Sequence, residues 1–184
     1  MWKILTQVAR AGIATEPAPS IDDAVQAAAG RIRREILDVL GQALAIRQVD
    51  AGSCNGCELE INALSNPYYN IEGLGIRFVA SPRHADLLLV TGPVSRHMAV
   101  ALRRTYEATP EPKLVVAVGD CGCTGGIFGS ALGNSGGESY ASCGRVANVI
   151  PVDVTVPGCP PAPIEILRGI LTAVQRRQPS RGGR

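Results

Sequence analysis

Aromatic residues are scarce in this sequence, at 4%, and charge is nearly balanced, leaving a formal net +2 over 184 residues. So small an excess gives no argument for nucleic acid, whose binders carry a strongly basic face. No apolar run approaches the roughly 20 residues needed to span a bilayer. The longest, such as Leu87-Leu88-Leu89-Val90, are strand-sized, so membrane association is expected only through partners or a surface contact. The opening MWKILTQVARAG lacks both a continuous apolar segment and a twin-arginine pair, and export is not expected. Without a secreted context the six cysteines do not read as a disulfide framework. In a reducing cytoplasm, metal binding is the better account of them.

Hydrophobic residues at 46% against charged residues at 18% suit a packed domain rather than a disordered chain, and the length suits one domain with tails. Glycine and proline number 21 and 13, which implies many tight loops, the usual carriers of chemistry on a rigid scaffold. We divide the chain into an N-terminal arm and helix (1–43), an α/β domain (44–176) and a basic tail (177–184). The arm over 1–19 reads as extended, with a Pro-containing stretch at Glu16-Pro17-Ala18-Pro19. Ser20 and Asp23 then form a capping-box arrangement. Val25, Ala28, Ala29, Ile32, Ile36, Val39 and Leu40 draw an apolar stripe at helical spacing, predicting an amphipathic helix over about 21–43.

Beyond that helix, strand-like runs alternate with helical ones. Strands are predicted at 45–49, 76–80, 86–91, 113–118 and 152–156. Helices are predicted from near Glu58, over 94–108 and over 162–176, the last opened by prolines. The stretch 122–144 holds eight glycines and is expected to be a long loop. This alternation argues for an α/β fold with a largely parallel sheet, and such sheets bind ligands beyond the carboxyl ends of their strands. Cys54, Cys57, Cys121, Cys123 and Cys159 all follow predicted strands, so the topology brings them to one edge, whereas Cys143 precedes its strand.

A 4Fe-4S cluster needs four thiolates, one for each iron of a cube, and Cys54-Asn55-Gly56-Cys57 supplies two neighbouring ones. Backbone N–H groups of Gly52-Ser53, Gly56, Gly119 and Gly158 are expected to approach the sulfurs. A C-x-x-C pair alone also fits a thioredoxin-like redox pair or half a zinc site. Cys121-Gly122-Cys123 has the wrong spacing for a zinc knuckle, and a redox pair leaves Cys121 and Cys159 without a role. Cys143 and Cys123 read as free buried cysteines. His84 and His97 are assigned no ligand role. Glu58 and Glu60 read as negative charge at a helix N-terminus, with Glu58 also a candidate for facing a partner and moving protons. Asp120 reads as a strand terminator.

Four blocks then combine in order: Gly52-Ser53-Cys54-Asn55-Gly56-Cys57-Glu58-Leu59-Glu60, Ala80-Ser81-Pro82-Arg83-His84-Ala85-Asp86-Leu87, Val118-Gly119-Asp120-Cys121 and Val156-Pro157-Gly158-Cys159-Pro160-Pro161. Together they resemble the small subunit of membrane-bound group 4 nickel-iron hydrogenases, of the formate hydrogenlyase and hydrogenase-4 type, a family similar to the 20 kDa subunit of respiratory complex I. The resemblance implies a flavodoxin-like fold with helices on both faces of the sheet. It also implies one proximal 4Fe-4S cluster held by Cys54, Cys57, Cys121 and Cys159, with Cys123 and Cys143 matching no ligand position. Complex I members place two cysteines adjacently in the first block, so the separated Cys54 and Cys57 favour the hydrogenase branch.

The implied role is electron relay between the active site of a large subunit and ferredoxin-like subunits, with no catalysis by this chain alone. The implied partners are a nickel-iron large subunit, a polyferredoxin and antiporter-like membrane subunits, with no nucleic acid. The implied location is peripheral, on the cytoplasmic side of the cell membrane. A cluster-bearing subunit of a complex I-like quinone oxidoreductase is the rival reading.

Overall fold

The computed structural model describes residues 2–12, 43–131 and 138–176. Five short runs rich in Leu, Val and Ile form one sheet: β1 (Leu44–Asp50), β2 (Ile76–Phe78), β3 (Leu87–Thr91), β4 (Leu114–Val118) and β5 (Val154–Val156). Their order is β2-β1-β3-β4-β5 and every pairing is parallel, as in a flavodoxin-like doubly wound sheet. All residues of β3 and β4 are buried, as expected where both sheet faces are covered and strands read as continuous apolar runs.

Strand alternation divides these residues between two cores. On one face Leu44, Ile46, Leu87, Leu89, Val116 and Val156 pack with residues of α2 (Gly56–Ala63) and α6 (Pro163–Arg176). On the other, Val49, Leu88, Val90, Val115 and Ala117 pack with Ala99 and Leu102 of α3 (Arg96–Ala108). Ile166, Leu167, Ile170, Ala173 and Val174 give α6 its buried stripe. The Ser95 hydroxyl caps α3 by accepting from Met98 N at 3.3 Å.

Two expectations change. The arm read as extended contains a helix, α1 (Trp2–Ala11). The stretch read as one long loop contains α4 (Gly119–Thr124), which begins just before it, and α5 (Gly126–Ala131). These short helices follow the turn out of β4 and carry glycines that local propensity argues against. The predicted Ser20 cap and most of the helix over 21–43, together with the tail 177–184, lie outside the described residues. Among those described, no helix is long and apolar enough to cross a membrane.

Candidate metal centre

The chain passes from β1 to β2 on one side and back to β3 on the other, which opens a crevice at the carboxyl ends of these strands. In the loop leaving β1, the Asp50 carboxylate accepts from Gly52 N and Ser53 N, both at 2.8 Å. This Asx-type turn carries Cys54, which is exposed. Asn55 adopts a left-handed φ of 72° and turns the chain into α2, whose first turn holds Cys57 at 9% exposure. Cys121 lies in α4 directly after β4, and the exposed Cys159 follows β5.

Cys54, Cys121 and Cys159 line one hollow with Gly52, Pro93 and Phe128. Cys57 does not line it; its sulfur lies behind Gly119, where a Cβ would come within 2.6 Å. Likewise a Cβ on Gly126 would lie 2.8 Å from the Cys121 sulfur. Both glycines have positive φ, so backbone conformation and space alike exclude a side chain there. The thiols respond to one another. Burial pushes Cys57 up to about 12, with added repulsion from Glu58, Cys54, Cys121 and Cys159. Cys121 is raised first by burial and then by Cys159 and Cys54. Cys57 is therefore within electrostatic reach of the other three, and Cys121 of Cys54 and Cys159, while Cys123 feels Cys121 only weakly, behind its own burial and Asp120. Loading a metal group would displace protons, since only the thiolate ligates.

Cys123 and Cys143 do not join them. The Cys123 thiol turns back to the sheet and donates to Ala117 O at 3.5 Å, and burial pushes it up to about 11. Cys143 packs against the α3-side core, and its N–H donates to Val94 O at 2.7 Å. Both thiols are only partly buried, less than the free-cysteine reading expects. His84 and His97 are exposed.

Among the described residues, no three His, Cys, Asp or Glu side chains converge on a single ion position. The donor type itself, four thiols with glycine backbone close to two of the sulfurs, is compatible with a 4Fe-4S cluster, which takes one thiolate per iron.

Two expectations about the surroundings need correction, and a third gains a qualification. The N–H groups of Gly52, Ser53 and Gly158 are not aimed at sulfur, for they donate to the carboxylates of Asp50 and Asp120. Glu58 does stand in the first turn of α2, as expected, but it is 7% exposed, and among the described residues neither carboxylate oxygen has a hydrogen-bond partner. Asp120 does more than end a strand, since its N–H donates to Gly158 O and its carboxylate accepts from Gly158 N, each at 2.8 Å. The Asp50-Ala51-Gly52 run was a readable turn signal; nothing local in the sequence announces the Asp120 contact.

Comparison with known proteins agrees with this architecture. The profile of the family described as NADH ubiquinone oxidoreductase, 20 Kd subunit, matches residues 54–173. A Pyrococcus furiosus relative, named as probable membrane-bound hydrogenase subunit mbhJ, is 42% identical over 77% of this chain and 80% of its own. Formate hydrogenlyase subunit 7 of Escherichia coli is 39% identical over 78% of this chain and 53% of its own. Among solved structures, a chain of the archaeal membrane-bound sulfane sulfur reductase superposes with a TM-score of 0.63 at 31% identity, covering 79% of this chain and 77% of that one.

Proposed function

Because this chain belongs to the family of the 20 kDa subunit of NADH ubiquinone oxidoreductase, whose members are subunits of oxidoreductase complexes, we propose that it is the electron-relay subunit of a membrane-associated nickel-iron hydrogenase. In this reading the α/β unit over 44–176 holds one proximal 4Fe-4S cluster through Cys54, Cys57, Cys121 and Cys159. The observation that carries it is that Cys54, Cys121 and Cys159, from three separate strand ends, line one hollow, with Cys57 within electrostatic reach of all three. Likeness to a membrane-bound hydrogenase subunit and to a formate hydrogenlyase subunit supports the enzyme class.

The bound cluster would supply reversible one-electron chemistry. The chain's own residues set its position and its exposure. Gly119 and Gly126 let backbone come close to the Cys57 and Cys121 sulfurs, and Asp50 shapes the loop that presents Cys54. Cys57 would anchor the group on the core, whereas Cys54 and Cys159, which are exposed, would leave one side of it open to a partner. In this reading that partner is a separate large subunit, with ferredoxin-like subunits on the cytoplasmic side receiving or supplying the electrons.

A second reading keeps the cluster and changes the complex to a quinone or sulfur reductase. It is favoured by the family's own description and by the superposition on a sulfane sulfur reductase chain. Metal analysis with EPR on the anaerobically purified complex, reduced by hydrogen gas, separates the two. Nickel with a hydrogen-reducible 4Fe-4S signal supports the hydrogenase; iron without nickel and no response to hydrogen assigns the reductase. A colourless complex with zinc and no iron would overturn both.

A further inference from the structure

Parallel ladders in this sheet are closed at their ends by aspartates. Before β3, Asp86 N donates to Ala45 O at 2.8 Å while its carboxylate accepts from Ala45 N at 2.9 Å. Before β5, Asp153 N donates to Val115 O at 2.9 Å while its carboxylate accepts from Val115 N at 2.7 Å. In each case one residue supplies both donor and acceptor and replaces a missing rung of the ladder, satisfying backbone groups that would otherwise be left unpaired. These two clasps sit at the amino ends of β3 and β5, away from the cysteines.

Asp120 and Gly158 form a third clasp of the same design at the opposite end. The β4–β5 register pairs Val116 with Val154 and Val118 with Val156, and Asp120 bonds Gly158 at the same sequence offset of 38. Beyond Val118 the backbone turns into α4 at Gly119, with φ 84°, and the strand ladder ends there. The Asp120 carboxylate provides the acceptor that an extended backbone would have provided. The residues immediately after the two clasped positions are Cys121 and Cys159.

We propose that Asp120 is a positioning residue for the metal centre, its two hydrogen bonds to Gly158 setting the relative placement of the Cys121 and Cys159 thiolates. The assignment rests on the cluster reading above. The backbone of each cysteine is joined directly to a clasped residue, so slack between the loops would pass directly into the sulfur positions. A carboxylate beside Cys121 would also oppose an added electron on a bound cluster and so lower its potential.

The test uses the anaerobically purified complex carrying Asp120→Ala, Asp120→Asn or Asp153→Ala. Removing a residue that orients a metal ligand costs about 10–100-fold in metal affinity. Asp120→Ala is therefore expected to lose most of its cluster iron under mild chelation that spares the unaltered complex. Asp120→Asn keeps an acceptor for Gly158 N, and is expected to retain the cluster with a raised midpoint potential. Asp153→Ala removes an equivalent clasp remote from the site, and is expected to lower thermal stability while leaving iron content and potential unchanged.

Equal iron retention and an unshifted EPR spectrum in Asp120→Ala would overturn the inference. So would equal iron loss in Asp153→Ala, since the effect would then be general stability. Amide hydrogen exchange at Gly158 does not depend on the cluster: its protection is expected to fall in Asp120→Ala and persist in Asp120→Asn, and unchanged protection in the alanine variant overturns the clasp. A complex with native Asp120 that holds no iron would instead overturn the cluster reading, leaving the exchange result to judge the clasp.

Discussion

Cys159 lies on the exposed rim of the thiol group, at the end of a loop that approaches the site from the edge strand β5. Cys159→Ser removes one of four proposed thiolates and is expected to lose or damage the cluster and stop turnover of the assembled complex. Full activity with four irons retained would remove Cys159 from the ligand set. Protonation gives a second residue-level expectation. Cys57 is raised from 9.0 to about 12 in the fold, so the folded chain holds this proton more tightly than the unfolded one. Its contribution to stability is complete below pH 9.0 and is lost as pH rises through about 12. Cys123, raised to about 11, adds in the same direction. Denaturant midpoints of the metal-free chain should therefore fall across that window, and less steeply in Cys57→Ser. At this scale spacing marked the Cys54 and Cys57 pair, and the order of the motif blocks marked Cys121 and Cys159 through the resemblance. The burial of Glu58 was not legible, because it depends on what the fold places over α2.

At the scale of elements, α6 is the brace behind the Cys159 loop. Its buried stripe contacts β4 and β5, and Ile170 within it is 0% exposed. Ile170→Ala is expected to cost about 2–5 kcal/mol through lost burial and the cavity left behind, read as a lowered denaturant midpoint with unchanged slope. A loss well under 1 kcal/mol would mean that this helix packs more loosely than described. Strands and long helices were legible because their apolar periodicity is imposed by burial. Strand runs were found to within a few residues, and 94–108 became Arg96–Ala108. α4 and α5 escaped because they are short and glycine-containing, with no periodicity to read. The helix Trp2–Ala11 escaped because the proline-containing segment behind it dominated the reading of the arm.

For the molecule as a whole, the rim of the thiol hollow is apolar as well as open. Phe128, which lines it, is 49% exposed, and neighbouring Ile127 is 71% exposed. Exposed apolar side chains grouped at a site mark a contact surface, so the chain expressed alone should aggregate or bind poorly defined partners. Phe128→Asp should weaken assembly with the proposed large subunit by about tenfold or more, roughly 1.4 kcal/mol, measured by co-purification at matched expression. Undiminished assembly would move the interface elsewhere.

The sequence by itself determined the α/β class and the approximate strands, because these follow from periodicity and turn chemistry within short windows, while the four proposed cysteine ligands came from the family resemblance. It also carried the family likeness, since ordered motifs survive without any knowledge of contacts. Only the tertiary structure decided that the Cys123 thiol bonds the Ala117 carbonyl, that Glu58 is buried with no hydrogen-bond partner among the described residues and that Asp120 clasps Gly158. Those outcomes depend on which loops the parallel sheet brings side by side. Residues 38 apart along the chain become hydrogen-bonded neighbours through strand register, and no local pattern encodes that register.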